Sequence, residues 1–245
     1  MLNYEFKLKN DGSGNQAFTL AEVLITIGII GIIAAMTIPA IVKKYQKVAL
    51  QTGLKKGYAV LQTALEKMHA DTGIIPSPQN YERQTFKNTY IKYFNIMIDC
   101  GLGSTDITDR ENAKTYCASE QLLENEENRR YTQHYKTYNK KVYLDPTLLN
   151  NGQFVLSDGM IVMIENWDPG RLYISIDVNG IKKSPNVWGQ DLFTFQLMND
   201  GKLMPMGNPG TDYLPEEFCS KTSSSTYNGI GCTYNALTDE NYWDF

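Results

Sequence analysis

A single carboxylate, Glu22, stands in the otherwise apolar run FTLAEVLITIGIIGIIAAMTIPAIV of residues 18–42. Placing a charge at mid-span in a bilayer costs about 3 kcal/mol on insertion scales, so an acid in such a run is kept for a partner. Two other groups of residues carry chemistry. The four cysteines fall into two local pairs, Cys100 with Cys117 and Cys219 with Cys232. Four cysteines permit three connectivities. The sequential pairing is favoured because each pair brackets a short polar stretch containing Gly or Asn. Loops of that size are stabilised by about 3 kcal/mol on closure, and disulfides persist in oxidising compartments. A metal reading of the same cysteines lacks any CxxC spacing or a nearby histidine.

The third group is Asp177, Asn179 and Asp191, with Asn186 between them. Carboxylate and amide oxygens are what calcium takes, six to eight of them at about 2.3–2.6 Å. A helix–loop–helix calcium site would need a bidentate Glu at the twelfth position from Asp177, and Trp188 stands there. The competing reading is that these side chains bond the backbone of their own turn, with Trp188 plugging the core. Apart from calcium, no cofactor is called for.

The elements that must position these groups follow from periodicity. Val23 to Val42 is long enough to cross a hydrocarbon core of about 30 Å, which takes about 20 residues. The small residue Ala17 precedes the apolar run, whereas a secretory signal is cut after a shorter one. Beyond it, Leu54, Tyr58, Leu61, Leu65 and Met68 recur at helical spacing. One helix is therefore predicted from residue 18 to about 71, with Gly28 and Gly31 lowering its propensity and Pro39 interrupting its backbone bonding. Thr72-Gly73, Pro76 and Pro78 end it.

From residue 80 to about 140 the chain is polar and rich in tyrosine, with helical stretches predicted near Tyr81–Ile98 and Glu111–Tyr138. Strands are predicted at 153–156, 160–164, 171–178 and 192–198, the first two joined by the turn Ser157-Asp158-Gly159. The fold class is α+β: a long helix packed on a small antiparallel sheet of about four strands, with a helical or loop insertion.

Net charge is −4, so nothing indicates a nucleic-acid partner, which calls for clustered basic residues. No enzyme signature survives inspection. Gly12-Ser13-Gly14-Asn15-Gln16-Ala17 matches the dinucleotide fingerprint in letters only, because it follows no strand.

Ala17-Phe18-Thr19-Leu20-Ala21-Glu22-Val23, followed by the apolar run, resembles the cleavage and N-methylation site of type IV pilins and type II secretion pseudopilins. Ala17 stands where the family nearly always has Gly. The resemblance implies cleavage between Ala17 and Phe18, methylation of the Phe18 amine, and pairing of Glu22 with that amine on a neighbouring subunit. The divisions it implies are a leader at 1–17, a membrane or filament-core helix at 18–42, its amphipathic continuation at 43–72 and an extracytoplasmic head at 73–245. The segment from Asp177 to Phe193, continued by Asp200-Gly201-Lys202-Leu203-Met204-Pro205, is similar to one found in many pseudopilin-like heads.

The implied partners are homologous subunits, a prepilin peptidase and methyltransferase, an assembly platform and the inner membrane. Lys43, Lys44, Lys47, Lys55 and Lys56 follow the span, and charge bias alone would keep the C-terminal part inside. The family topology and the cysteines both place the head outside. The expected function is a non-enzymatic filament subunit serving type II secretion or a type IV pilus. The alternative is a membrane-anchored module that binds a secreted substrate, DNA or a surface partner without a filament role.

Overall fold

The computed structural model describes residues 19–102, 116–118 and 135–244. The chain separates into two compact units, residues 1–46 and 47–245. Ala17 and Phe18, and most of the stretch predicted as helix near Glu111–Tyr138, lie outside the described residues.

Helix α1 runs from Leu20 to Thr72, and Pro39 lies inside it without ending it. In the first unit its large apolar side chains face outward, from Leu20 (77 % exposed) to Val42 (45 %). Thr26 and Thr37 donate their hydroxyls to the carbonyls of Val23 at 2.8 Å and Ile33 at 2.9 Å, which satisfies polar groups that an apolar medium would leave stranded.

In the second unit the same helix becomes amphipathic. Leu50, Leu54, Gly57, Leu61, Ala64, Leu65 and Met68 are buried. Gly57 lets the helix approach the sheet closely, because a Cβ there would stand 2.9 Å from Ile176 Cδ1. Tyr58 stacks on Phe195 at 4.8 Å and donates to the Leu203 carbonyl at 2.9 Å.

The sheet is an antiparallel meander in strand order β1 to β6. The strands are β1 Ile96–Asp99, β2 Gln153–Leu156, β3 Ile161–Glu165, β4 Tyr173–Asp177, β5 Leu192–Leu197 and β6 Leu203–Pro205. Among the described residues the sheet has six strands where about four are predicted. β1 falls inside the stretch predicted as helical near Tyr81–Ile98, where helix occupies only α2, Phe86–Tyr90, and a following turn of 3-10 helix. Ile96-Met97-Ile98 pairs instead with β2, which is where β-branched side chains pack well. Likewise Tyr135–Thr137, predicted helical, is not helix, and Lys136 bridges Val187 and Tyr143.

Strands β2 to β5 are buried along their whole length. One face, with Phe154, Val162, Ile164, Ile174, Ile176, Phe193 and Phe195, meets α1. The other, with Val155, Ile161, Met163, Tyr173 and Leu192, lies under Tyr135, Trp188, Met206 and Ile230. That second layer comes largely from the C-terminal region, which holds the short helices α3, Pro215–Phe218, and α4, Thr233–Thr238.

Candidate functional site

Helix α1 begins with a reciprocal cap. Thr19 donates its backbone N–H and its hydroxyl to Glu22 Oε2, each at 2.8 Å, and Glu22 N–H donates back to Thr19 Oγ1 at 3.2 Å. Thr-x-x-Glu is the capping-box pattern, in which two donors at a helix start satisfy each other's partners. The box sets the direction of the carboxylate: it points back to Thr19. The four first N–H groups of a helix have no partner within it, so in lipid the cap relieves a cost as well as orienting the acid.

The second candidate is the β4–β5 connection. Asp177, fully buried, accepts the N–H groups of Asn179 at 3.0 Å and Gly180 at 2.7 Å through Oδ1, and the Tyr135 hydroxyl at 2.6 Å through Oδ2. Asp191, also fully buried, accepts the N–H groups of Asn186 at 2.6 Å and Val187 at 2.7 Å. The two are brought close by the main chain, where Val178 N–H donates to the Asp191 carbonyl at 2.9 Å. Burial pushes both carboxyls upward, and the charge of Asp177 raises Asp191 further. Burial, then the charge of Asp177, likewise holds the Tyr135 phenol well above its usual range.

These hydrogen bonds are what the turn-capping reading requires, and Trp188 is fully buried with its indole N–H on Thr194 Oγ1 at 3.0 Å. They do not use every oxygen. Asn179 gives its amide N–H to the carbonyls of Lys183 and Ser184, and Asn186 gives its own to Ile181, which leaves Oδ1 of both buried without a partner. Two carboxylates and two orphaned amide oxygens therefore share one loop. Among the described residues no group of three or more His, Cys, Asp or Glu forms a metal site, so a cation here would lean on amide, backbone or water oxygens to complete its shell.

The family described as the prokaryotic N-terminal methylation motif matches residues 12–38. The match covers this N-terminal stretch alone and supports a prepilin-type protein similar to type IV pilins and pseudopilins. Nothing among curated proteins or solved structures matches it. The motif indicates a structural subunit rather than an enzyme, and it implies processing by a peptidase and assembly with other pilin subunits. One N-terminal helix is long and apolar enough to cross a membrane, and with the motif this is consistent with a membrane-anchored protein.

Both cysteine pairs are joined, Cys100 to Cys117 with Cα atoms 5.9 Å apart and Cys219 to Cys232 at 4.9 Å. The first bond ties the end of β1 to residues 116–118. The second joins Cys219, just after α3, to Cys232, just before α4, and Cys232 lies in the hydrophobic cluster that also holds α1. Two contacts escaped the sequence reading. Thr19 was legible as a cap from Thr-x-x-Glu alone. Tyr135 carried no such signal, since its partner Asp177 lies 42 positions along the chain.

Proposed function

We propose that the chain is a filament subunit of a type II secretion system or a type IV pilus. The prepilin peptidase cuts between Ala17 and Phe18, the new amine is methylated, and the subunit waits in the inner membrane with its head on the outer side. Helix α1 then packs against the helices of other subunits on an assembly platform, and Glu22 receives the Phe18 amine of a neighbour. The observation that carries this reading is the pairing of an outward-facing apolar helix with one oriented carboxylate at its start. Nothing within the described chain neutralises that charge with an opposite one, and the capping box leaves Oε1 for a second donor.

Two measurements test it. Mass spectrometry of the membrane-extracted protein should give residues 18–245 plus one methyl group, less two hydrogens per disulfide; an intact N-terminus would sink the processing claim. Replacing Glu22 by Ala should leave the subunit in the membrane but out of filaments. Unchanged incorporation would favour the anchored binding module instead.

A second proposal concerns the β4–β5 loop, which we assign as a calcium site held by Asp177, Asn179, Asp191 and Asn186. The orphaned amide oxygens and the mutual repulsion of two buried carboxylates support it. Calcium added to the full chain in detergent should raise its melting temperature, since a ligand that binds only the folded state stabilises by mass action. Asp191→Asn should remove the response, and an unchanged melt with saturating calcium would assign the loop to turn capping alone.

A further inference from the structure

Trp167 is the exposed member of the chain's three tryptophans: it leaves 48 % of its surface in water, whereas Trp188 and Trp243 are buried. It sits in the β3–β4 connection, at the edge of a cleft of about 520 Å³ whose opposite wall is the 79–83 segment. The two walls are fastened together by Asn166, whose carbonyl accepts Gln84 N–H at 3.0 Å and whose Oδ1 accepts Phe86 N–H at 3.3 Å. On the floor side Asn166 N–H is held by Asn151 Oδ1 at 3.1 Å, and Trp167 N–H by Glu165 Oε1 at 3.0 Å. The cleft is thus a fixed shape. Pre-formed walls lower the ordering cost of binding.

Its chemistry is a flat apolar surface ringed by hydrogen-bonding groups. The Arg83 guanidinium lies over the indole at 4.7 Å from the ring centroid, which fixes the ring's orientation. Around it stand Tyr81, Asn80, Glu82 and Asp168. The charged groups lining the cleft are Glu82 and Asp168 against Arg83, and Arg171 beside them is shared between Asp168 Oδ2 at 3.7 Å and Asp212 Oδ2 at 3.6 Å. Among the described residues Glu82 has no ion-pair partner. Such a rim offers an anion nothing, and its carboxylates and amides present paired acceptors and donors to neighbouring hydroxyls.

We propose that this cleft binds a neutral saccharide. A pyranose ring has one face of C–H groups to lie on the indole surface that Arg83 leaves exposed, and an equator of hydroxyls to meet Glu82, Asp168 and Asn80. The proposal is independent of filament assembly, since every residue it uses lies in the head.

The test is tryptophan emission of the full chain in a zwitterionic detergent free of sugar, titrated with maltotriose, cellotriose and chitotriose. A saturable change with at least one of them is expected. Trp167→Ala should abolish binding measured by calorimetry. Glu82→Gln combined with Asp168→Asn, which keeps the reporter and the loop backbone, should weaken it about tenfold, the factor that corresponds to about 1.4 kcal/mol. No saturable change with any of the three sugars, equal affinity in the Trp167→Ala protein, or an affinity untouched by the double carboxylate change would each overturn the proposal. Were Trp167→Ala to fail to fold, the double variant decides alone.

Discussion

Glu22 has two tasks whose demands differ. As a cap it must face its own Thr19, and as an assembly contact it must face the amine of another chain. The observed geometry reconciles them, because both Thr19 donors use Oε2, and the second oxygen keeps its lone pairs. Thr19 is therefore a positioning residue. Thr19→Val removes the hydroxyl, and cap losses of this kind cost about 1 kcal/mol. Amide hydrogen exchange at Glu22, whose N–H bonds the lost hydroxyl, should accelerate about fivefold in micelles, the factor that 1 kcal/mol represents. Thr19→Ser should exchange as the parent does. Equal protection in the valine variant would mean that the box contributes nothing in an apolar medium.

At the scale of elements, the decisive contact is between α1 and the sheet. A Cβ at Gly57 would stand 2.9 Å from Ile176 Cδ1, so a side chain there must displace the end of Ile176, the more so the larger it is. Gly57→Leu should force the two apart and cost about 1–3 kcal/mol, the usual range for overpacking. It is read as a lower melting temperature of the head. Gly57→Ala is milder, because the nearest atom is the mobile end of Ile176 and alanine favours the helix by about 1 kcal/mol. A leucine variant as stable as the parent would show that the sheet face yields.

These elements differ in how far the sequence revealed them. Helix α1 was legible because Leu54, Leu61, Leu65 and Met68 repeat at its own period, and β2 to β5 because apolar runs alternate with turn residues. β1 was hidden: its four residues carry no alternation, and its strand character comes from pairing with β2, more than 50 positions away by partner Ile96 to Leu156. The outer layer was hidden for the same reason. Met206, Tyr213 and Ile230 sit among turns, and only the sheet face they cover gives them a common direction. In the loop, the carboxylates were legible as types, but the orphaned oxygens of Asn179 and Asn186 depend on which carbonyls their amides reach.

Across the whole head, buried acids set the response to pH. Glu165 is 7 % exposed, its Oε1 accepts Trp167 N–H, and its Oε2 is buried without a partner. Burial, opposed by the Trp167 hydrogen bond and reinforced by the charge of Asp168, pushes its carboxyl up to about 7. Asp177 and Asp191 shift in the same direction, also chiefly by burial. A group whose folded pKa is raised stabilises most fully below its unfolded value, and that contribution is lost as pH rises through the folded value. The head should therefore melt at its highest temperature near the ordinary carboxylate range and lose stability toward neutrality. One kcal/mol corresponds to a shift of about 2–4 °C in a domain of this size, so the decline is measurable by a pH series of thermal melts. Glu165→Gln keeps the shape without the proton and should remove the part of the slope that ends near pH 7. Calcium should remove the part belonging to Asp177 and Asp191, because a bound cation favours their charged forms. The two corrections act on separate groups and should add. A melting temperature that instead climbs from pH 5 to pH 8 would mean that these acids are ionised at little cost, and that the hydrogen bonds on their oxygens outweigh their burial.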